Sequence, residues 1–68
     1  MIYYSLLRPI DIGTLPRKDF TYYENFDIRT YVDSIGREAW GFVEYSKELT
    51  EDEMETYSLM KKEEKKNV

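Results

Sequence analysis

Ile2 to Leu7 opens the chain with a short, β-prone apolar run, which predicts a strand buried on at least one face. Arg8-Pro9 ends it, because proline cannot donate to a ladder and restricts the residue before it. Ile10 to Lys18 holds Gly13 and Pro16 with little periodicity and reads as a loop crossing the surface. Phe20, Tyr22, Glu24 and Phe26 then alternate with Thr21, Tyr23 and Asn25, the period of a second strand. The next stretch fits two templates. Ile28, Tyr31, Val32 and Ile35 fall at helical spacing, with Asp27 placed as N-cap and Gly36 just past the end. Phe26, Ile28, Thr30 and Val32 also alternate as a continuing strand. Their β-branched members favour a bent strand followed by a turn through Asp33 to Arg37.

Ala39 to Ser46 is the clearest strand, with Trp40, Phe42 and Glu44 pointing one way and Gly41, Val43 and Tyr45 the other. Gly41 marks a bulge or a close approach by another group, and Trp40, the largest apolar body, is the expected centre of the core. Thr50-Glu51-Asp52-Glu53 fits a capping box and places three acids in a first helical turn, where they complement the dipole. A helix from Glu51 to about Tyr57 follows, with only Met54, Tyr57 and Met60 to pack, and two endings are open. Either the helix continues into the Lys/Glu-rich end, or a short last strand forms near Tyr57 to Met60. The expected fold is α+β: a small antiparallel sheet of three to four strands with one C-terminal helix. Residues 1–60 form the single domain and 61–68 a charged, frayed tail.

Composition narrows the chemistry. The chain has 68 residues without cysteine or histidine, which excludes disulfides, Cys/His metal sites and catalysis by imidazole or thiolate. No run approaches the length of a membrane span, and Met1 is followed by a short mixed stretch interrupted by Arg8 and Pro9 rather than by a signal peptide. A cytoplasmic protein is the expectation. So small a domain has a thin stability margin, and its eleven aromatics, seven of them tyrosine, must extend the core or supply a contact surface. Self-association as a homo-oligomer would be another resource.

The net charge of −4 divides into −1 over residues 1–34, −5 over 35–60 and +2 over 61–68. Glu38, Glu44, Glu48, Glu51, Asp52, Glu53 and Glu55 therefore form the candidate acidic strip for a protein partner with a basic groove, against the plainer reading of a solubilising face. Arg8, Arg17, Lys18, Arg29 and Arg37 are the alternative candidates, for nucleic acid, if folding gathers them beside Tyr22, Tyr23 or Tyr31. The acidic balance disfavours that alternative. The acids Asp11, Asp19, Glu24, Asp27 and Asp33 match no metal-loop spacing, and a chain this size has little room for a substrate pocket of about 300 Å³ or more. No enzymatic activity, cofactor or metal is expected.

The chain also carries Arg8-Pro9 followed by Gly13-Thr14-Leu15-Pro16, then Glu24-Asn25-Phe26-Asp27-Ile28-Arg29. Ile35-Gly36-Arg37-Glu38-Ala39-Trp40-Gly41, Glu44-Tyr45, Leu49-Thr50-Glu51 and Tyr57-Ser58-Leu59 complete the pattern. Over roughly residues 3–60 this resembles short proteins of Firmicutes and their mobile elements described as defence-against-restriction A-related. It is also similar to a large polyvalent protein associated domain. The Ala-Trp-Gly strand and the Arg-Pro…Gly-Thr-x-Pro opening are its most specific parts. The resemblance offers no catalytic or ligand residues. It implies a phage or mobile-element protein acting against or beside host defence, for instance an anti-CRISPR or anti-restriction inhibitor that occludes the surface of a host defence complex. A structural or oligomerisation module of a mobile element is the remaining reading.

Overall fold

A computed structural model describes residues 1–62. The N-terminal apolar run forms β1 (Ile2–Ser5), which lies between β3 (Arg37–Tyr45) and β4 (Leu59–Lys61). β2 (Phe20–Val32) pairs with the outer side of β3, giving a four-stranded sheet of order β2-β3-β1-β4 in which every neighbouring pair is antiparallel. One short helix, α1 (Glu51–Thr56), joins β3 to β4 across β1. The α+β architecture expected from the alternation is therefore present.

The ambiguous stretch is strand to Val32, and the chain then reverses through Asp33–Gly36. The Gly36 N–H donates to the carbonyl of Val32 at 2.9 Å, and Gly36 sits at φ +65°, a conformation that costs glycine least. Ile35 is tucked in and buried at this turn. The capping box forms as its residue types require. The Glu53 N–H donates to Thr50 Oγ1 at 3.2 Å, and the Thr50 N–H donates to Glu53 Oε1 at 3.0 Å. The helix ends at Thr56 rather than continuing into the charged end, because Ser58 adopts φ 54° and turns the chain into β4. The short last strand thus starts at Leu59 and reaches Lys61, and the Lys62 N–H donates to the carbonyl of Ile2 at 2.9 Å. Of the tail expected over 61–68, residues 63–68 lie outside the described residues.

Period-two alternation gives the sheet two different faces. Tyr3, Val43, Tyr45 and Leu59 share one, and Ile10 and Leu49 from the loops complete the buried cluster. Leu15, Phe20, Met54 and Tyr57 pack against it, so α1 and the loop after β1 cover this face. The centre of the core is Tyr3 and Tyr45, 0% and 1% exposed, with rings edge-on at 6.1 Å. Trp40 is not that centre. It projects from the other face and is only partly buried, because helix and loops cover the side on which β3 places Val43 and Tyr45.

Burying two tyrosines requires partners for their hydroxyls, and both are found in loops. Tyr3 Oη accepts the Leu49 N–H at 2.8 Å, and Tyr45 Oη donates to the carbonyl of Pro16 at 2.6 Å. Each ring thus packs in the core while its tip fastens a connection that has no ladder of its own. Burial, with the nearby Glu53 carboxylate and Tyr57 adding to it, raises the Tyr45 pKa above its ordinary 10.0.

Candidate functional site

The second face of the sheet has no helix or loop packed across it among the described residues. The pairings Ile2 with Glu44, Tyr4 with Phe42 and Met60, Tyr22 with Glu44 and Glu24 with Phe42 place these side chains together. Trp40 joins them two residues along β3 from Phe42. Phe42 is the hub. Its ring lies 6.3 Å from Tyr4, 6.0 Å from Tyr22 and 6.4 Å from Phe26, all tilted. Such contacts hold the aromatic rings in place, with Tyr4, Phe26 and Phe42 partly buried and Tyr22 half exposed.

Two carboxylates are set into this apolar surface. Glu24 Oε1 accepts the Tyr22 hydroxyl at 3.0 Å, and that hydrogen bond, with the charge behind it, raises the Tyr22 pKa. Glu44 Oε2 accepts the Thr21 hydroxyl at 2.9 Å. Each acid is oriented by a neighbouring hydroxyl and keeps lone pairs for a donor arriving from outside.

The structure divides the seven acids expected as one strip. Glu38 and Glu44 project from the uncovered face of β3. Glu51, Asp52, Glu53 and Glu55 belong to α1, on the opposite side of the sheet, where Glu53 is engaged in the cap. Glu48 lies in the loop between them and pairs with Lys61 at 2.9 Å. Sequence reasoning did not bring Glu24 into the acidic group, although the alternation Tyr22, Glu24, Phe26 carried that signal.

The five basic candidates are all exposed and are spread over the molecule. Arg17 and Lys18 precede Phe20, which pairs with Tyr45 at one end of β3, whereas Arg37 begins the strand at the other end, roughly 26 Å away at strand rise. Arg29 is held by Glu38, Nε to Oε1 3.5 Å, and Arg8 follows β1 in the loop. No shared groove results from these positions. Among the described residues no cluster of acids suited to a metal ion forms, and no helix is long and apolar enough to cross a membrane.

No curated protein and no solved structure matches the chain. A family model does, over residues 1–64, and its description is "Defence against restriction A C-terminal". The match runs past Met60, where the resemblance read from the sequence stops, and so takes in the whole of β4. With all four strands and the capped helix inside the matched span, the chain belongs to the defence against restriction A C-terminal family.

Proposed function

We propose that this domain serves defence against restriction as a non-enzymatic protein-binding module of a phage or mobile element. Its uncovered sheet face occludes part of a nuclease-type host defence complex. The observation that carries this reading is the Phe42-centred ring cluster, left open on one side and set with Glu24 and Glu44. A contiguous apolar patch rimmed by polar groups is characteristic of interaction surfaces, and tyrosine is favoured there because it buries much area with little loss of rotamer freedom. The two acids choose the partner: an apolar depression bordered by arginine or lysine, of the kind a nuclease presents to DNA. Binding there would exclude DNA by occupying its cations. The nucleic-acid alternative draws less support, since this ring platform carries carboxylates.

The test is the survival of incoming plasmid or phage DNA in restricting and non-restricting hosts with and without the protein. Protection is expected from the native chain and from a Glu51→Lys/Glu55→Lys control altered on α1. It is expected to disappear with Tyr22→Lys/Glu24→Lys on the uncovered face. Native protein that gives no protection, or equal protection from both variants, overturns the proposal.

A further inference from the structure

The two edges of the sheet are built differently. β4 is three residues long and is followed by Lys62, so one edge is short and charged. β2 is thirteen residues long, lies at the other end of the strand order, and contains neither proline nor lysine. Four of the six large apolar residues that stand exposed among the described residues, Tyr22, Tyr23, Ile28 and Tyr31, are on it. A long edge without proline or lysine that exposes apolar side chains leaves backbone groups open to pairing with another strand, and its bulge and charges decide where that pairing can occur.

The register of β2 shows where contact would concentrate. Between Asn25 and Thr30 the pairing to β3 shifts, so Phe26 to Arg29 stand opposite Trp40 alone and the strand bows out of the ladder. Ile28, 73% exposed, is the most exposed large apolar residue of the described chain and sits in this bow. Asp27 and Arg29 flank it with opposite charges. The Asp27 carboxylate has no partner among the described residues, and Arg29, which pairs with Glu38 at 3.5 Å, keeps a half-exposed guanidinium with five N–H donors.

We infer that this edge is a homotypic contact, in which two copies of the chain meet antiparallel about a two-fold axis through Ile28. In that register Asp27 of each copy faces Arg29 of the other, because antiparallel pairing about residue 28 sets 27 opposite 29. The sequence is thus self-complementary in charge about an apolar centre. A two-fold perpendicular to the sheet keeps both Phe42 clusters on the same side, so the dimer presents the uncovered face twice and gains avidity for a repeated partner. The bow restricts the interface to a short central stretch, so the association is expected to be weak and reversible.

The inference does not depend on the proposed function and is tested on the protein alone. Sedimentation velocity across a concentration series is expected to show monomer–dimer exchange. Asp27→Arg and Arg29→Asp should each raise the dimer Kd by about tenfold or more, since each turns two attractions into two repulsions. Mixing the two variants should restore a one-to-one heterodimer, because arginines at 27 and 29 then face aspartates at 29 and 27. Far-UV circular dichroism should match the native chain, and so should thermal midpoints measured at concentrations below the dimer Kd, where every protein is monomeric, as both sites are exposed. A native chain that stays monomeric at millimolar concentration overturns the inference. So does a dimer that survives both reversals, or a mixture of the variants that remains monomeric.

Discussion

The side-chain amide of Asn25 closes a ring of two hydrogen bonds with the backbone of Ile10. Oδ1 accepts the Ile10 N–H at 2.6 Å, and Nδ2 donates to the Ile10 carbonyl at 3.2 Å. The amide thus does for the loop after β1 what a strand partner does in a ladder, and it fixes the backbone from which Ile10 enters the core. Asn25→Ala should lose about 1–3 kcal/mol, the cost of leaving partly buried backbone groups without partners. Asn25→Asp should not rescue it, since a carboxylate cannot donate to the Ile10 carbonyl. Urea denaturation midpoints of the three proteins check both expectations.

Gly41 makes room for that amide. A Cβ there would stand 2.6 Å from the Glu24 carbonyl oxygen, 2.7 Å from Asn25 Oδ1 and 2.9 Å from Asn25 Cα, and two of those atoms are backbone that cannot swing aside. Gly41→Ala must therefore part β2 from β3 and is expected to cost about 1–3 kcal/mol, the range for overpacking. Gly36→Ala meets nothing within 4 Å and pays only for its φ of +65°, about 1–2 kcal/mol. The two variants separate in kind. Gly41→Ala should also lower amide-exchange protection in β2, which Gly36→Ala leaves intact.

The Tyr45 hydroxyl gives the fold a sensitivity to alkali. Its folded pKa is raised by burial, while in the unfolded chain it returns to 10.0. The stability tied to the neutral phenol is therefore complete below pH 10.0 and is lost as pH rises from there through the folded value. Tyr45→Phe gives up the bond to the Pro16 carbonyl at every pH, about 0.5–1.5 kcal/mol. It should nevertheless unfold with a shallower pH dependence above neutrality than the native chain. Thermal midpoints measured at neutral and at alkaline pH compare the two slopes. Parallel slopes would remove Tyr45 from the account.

Thr50 starts α1, the only α-helix among the described residues, which at six residues is far too short to persist alone. Thr50→Ala removes the acceptor for the Glu53 N–H and should cost about 1 kcal/mol. Ser58→Gly, at the left-handed residue that ends the turn, should be neutral or slightly stabilising. Thermal unfolding of both variants tests whether the short α1–β4 connection is held by its two ends.

Local chemistry made most elements legible. The capping box, the alternation of Ala39 to Ser46 and the β-branched residues up to Val32 each point to the structure they form. The close approach expected at Gly41 is also found, in Asn25. What the sequence hides is which face of the sheet gets covered. Alternation separates Trp40, Phe42 and Glu44 from Val43 and Tyr45, but size alone favoured the tryptophan as core. The decision rests on non-local contacts: Ile10, Leu15, Leu49 and Met54 all arrive on the tyrosine side. The acidic strip failed to gather for the same reason, since contiguity along the chain from Glu38 to Glu55 crosses from one face of the sheet to the other.

The misplaced tryptophan becomes a probe. Trp40 is the sole indole of the chain and projects from the uncovered face, so anything that docks there changes its surroundings. Single-stranded DNA or RNA stacking on the Phe42 cluster would have to pass Glu24 and Glu44, while the exposed cations sit at separate ends of β3. Counterion release, the main source of nucleic-acid affinity, needs cations aligned with successive phosphates. Titration of the protein with either strand at low salt is therefore expected to leave Trp40 emission unchanged. Quenching that vanishes steeply as salt rises would instead assign this face to nucleic acid, with Arg29 released from the Glu38 carboxylate. A basic protein partner should shift the emission to shorter wavelength by excluding water, and Glu24→Lys/Glu44→Lys should abolish that shift while leaving the emission of the free protein as it is.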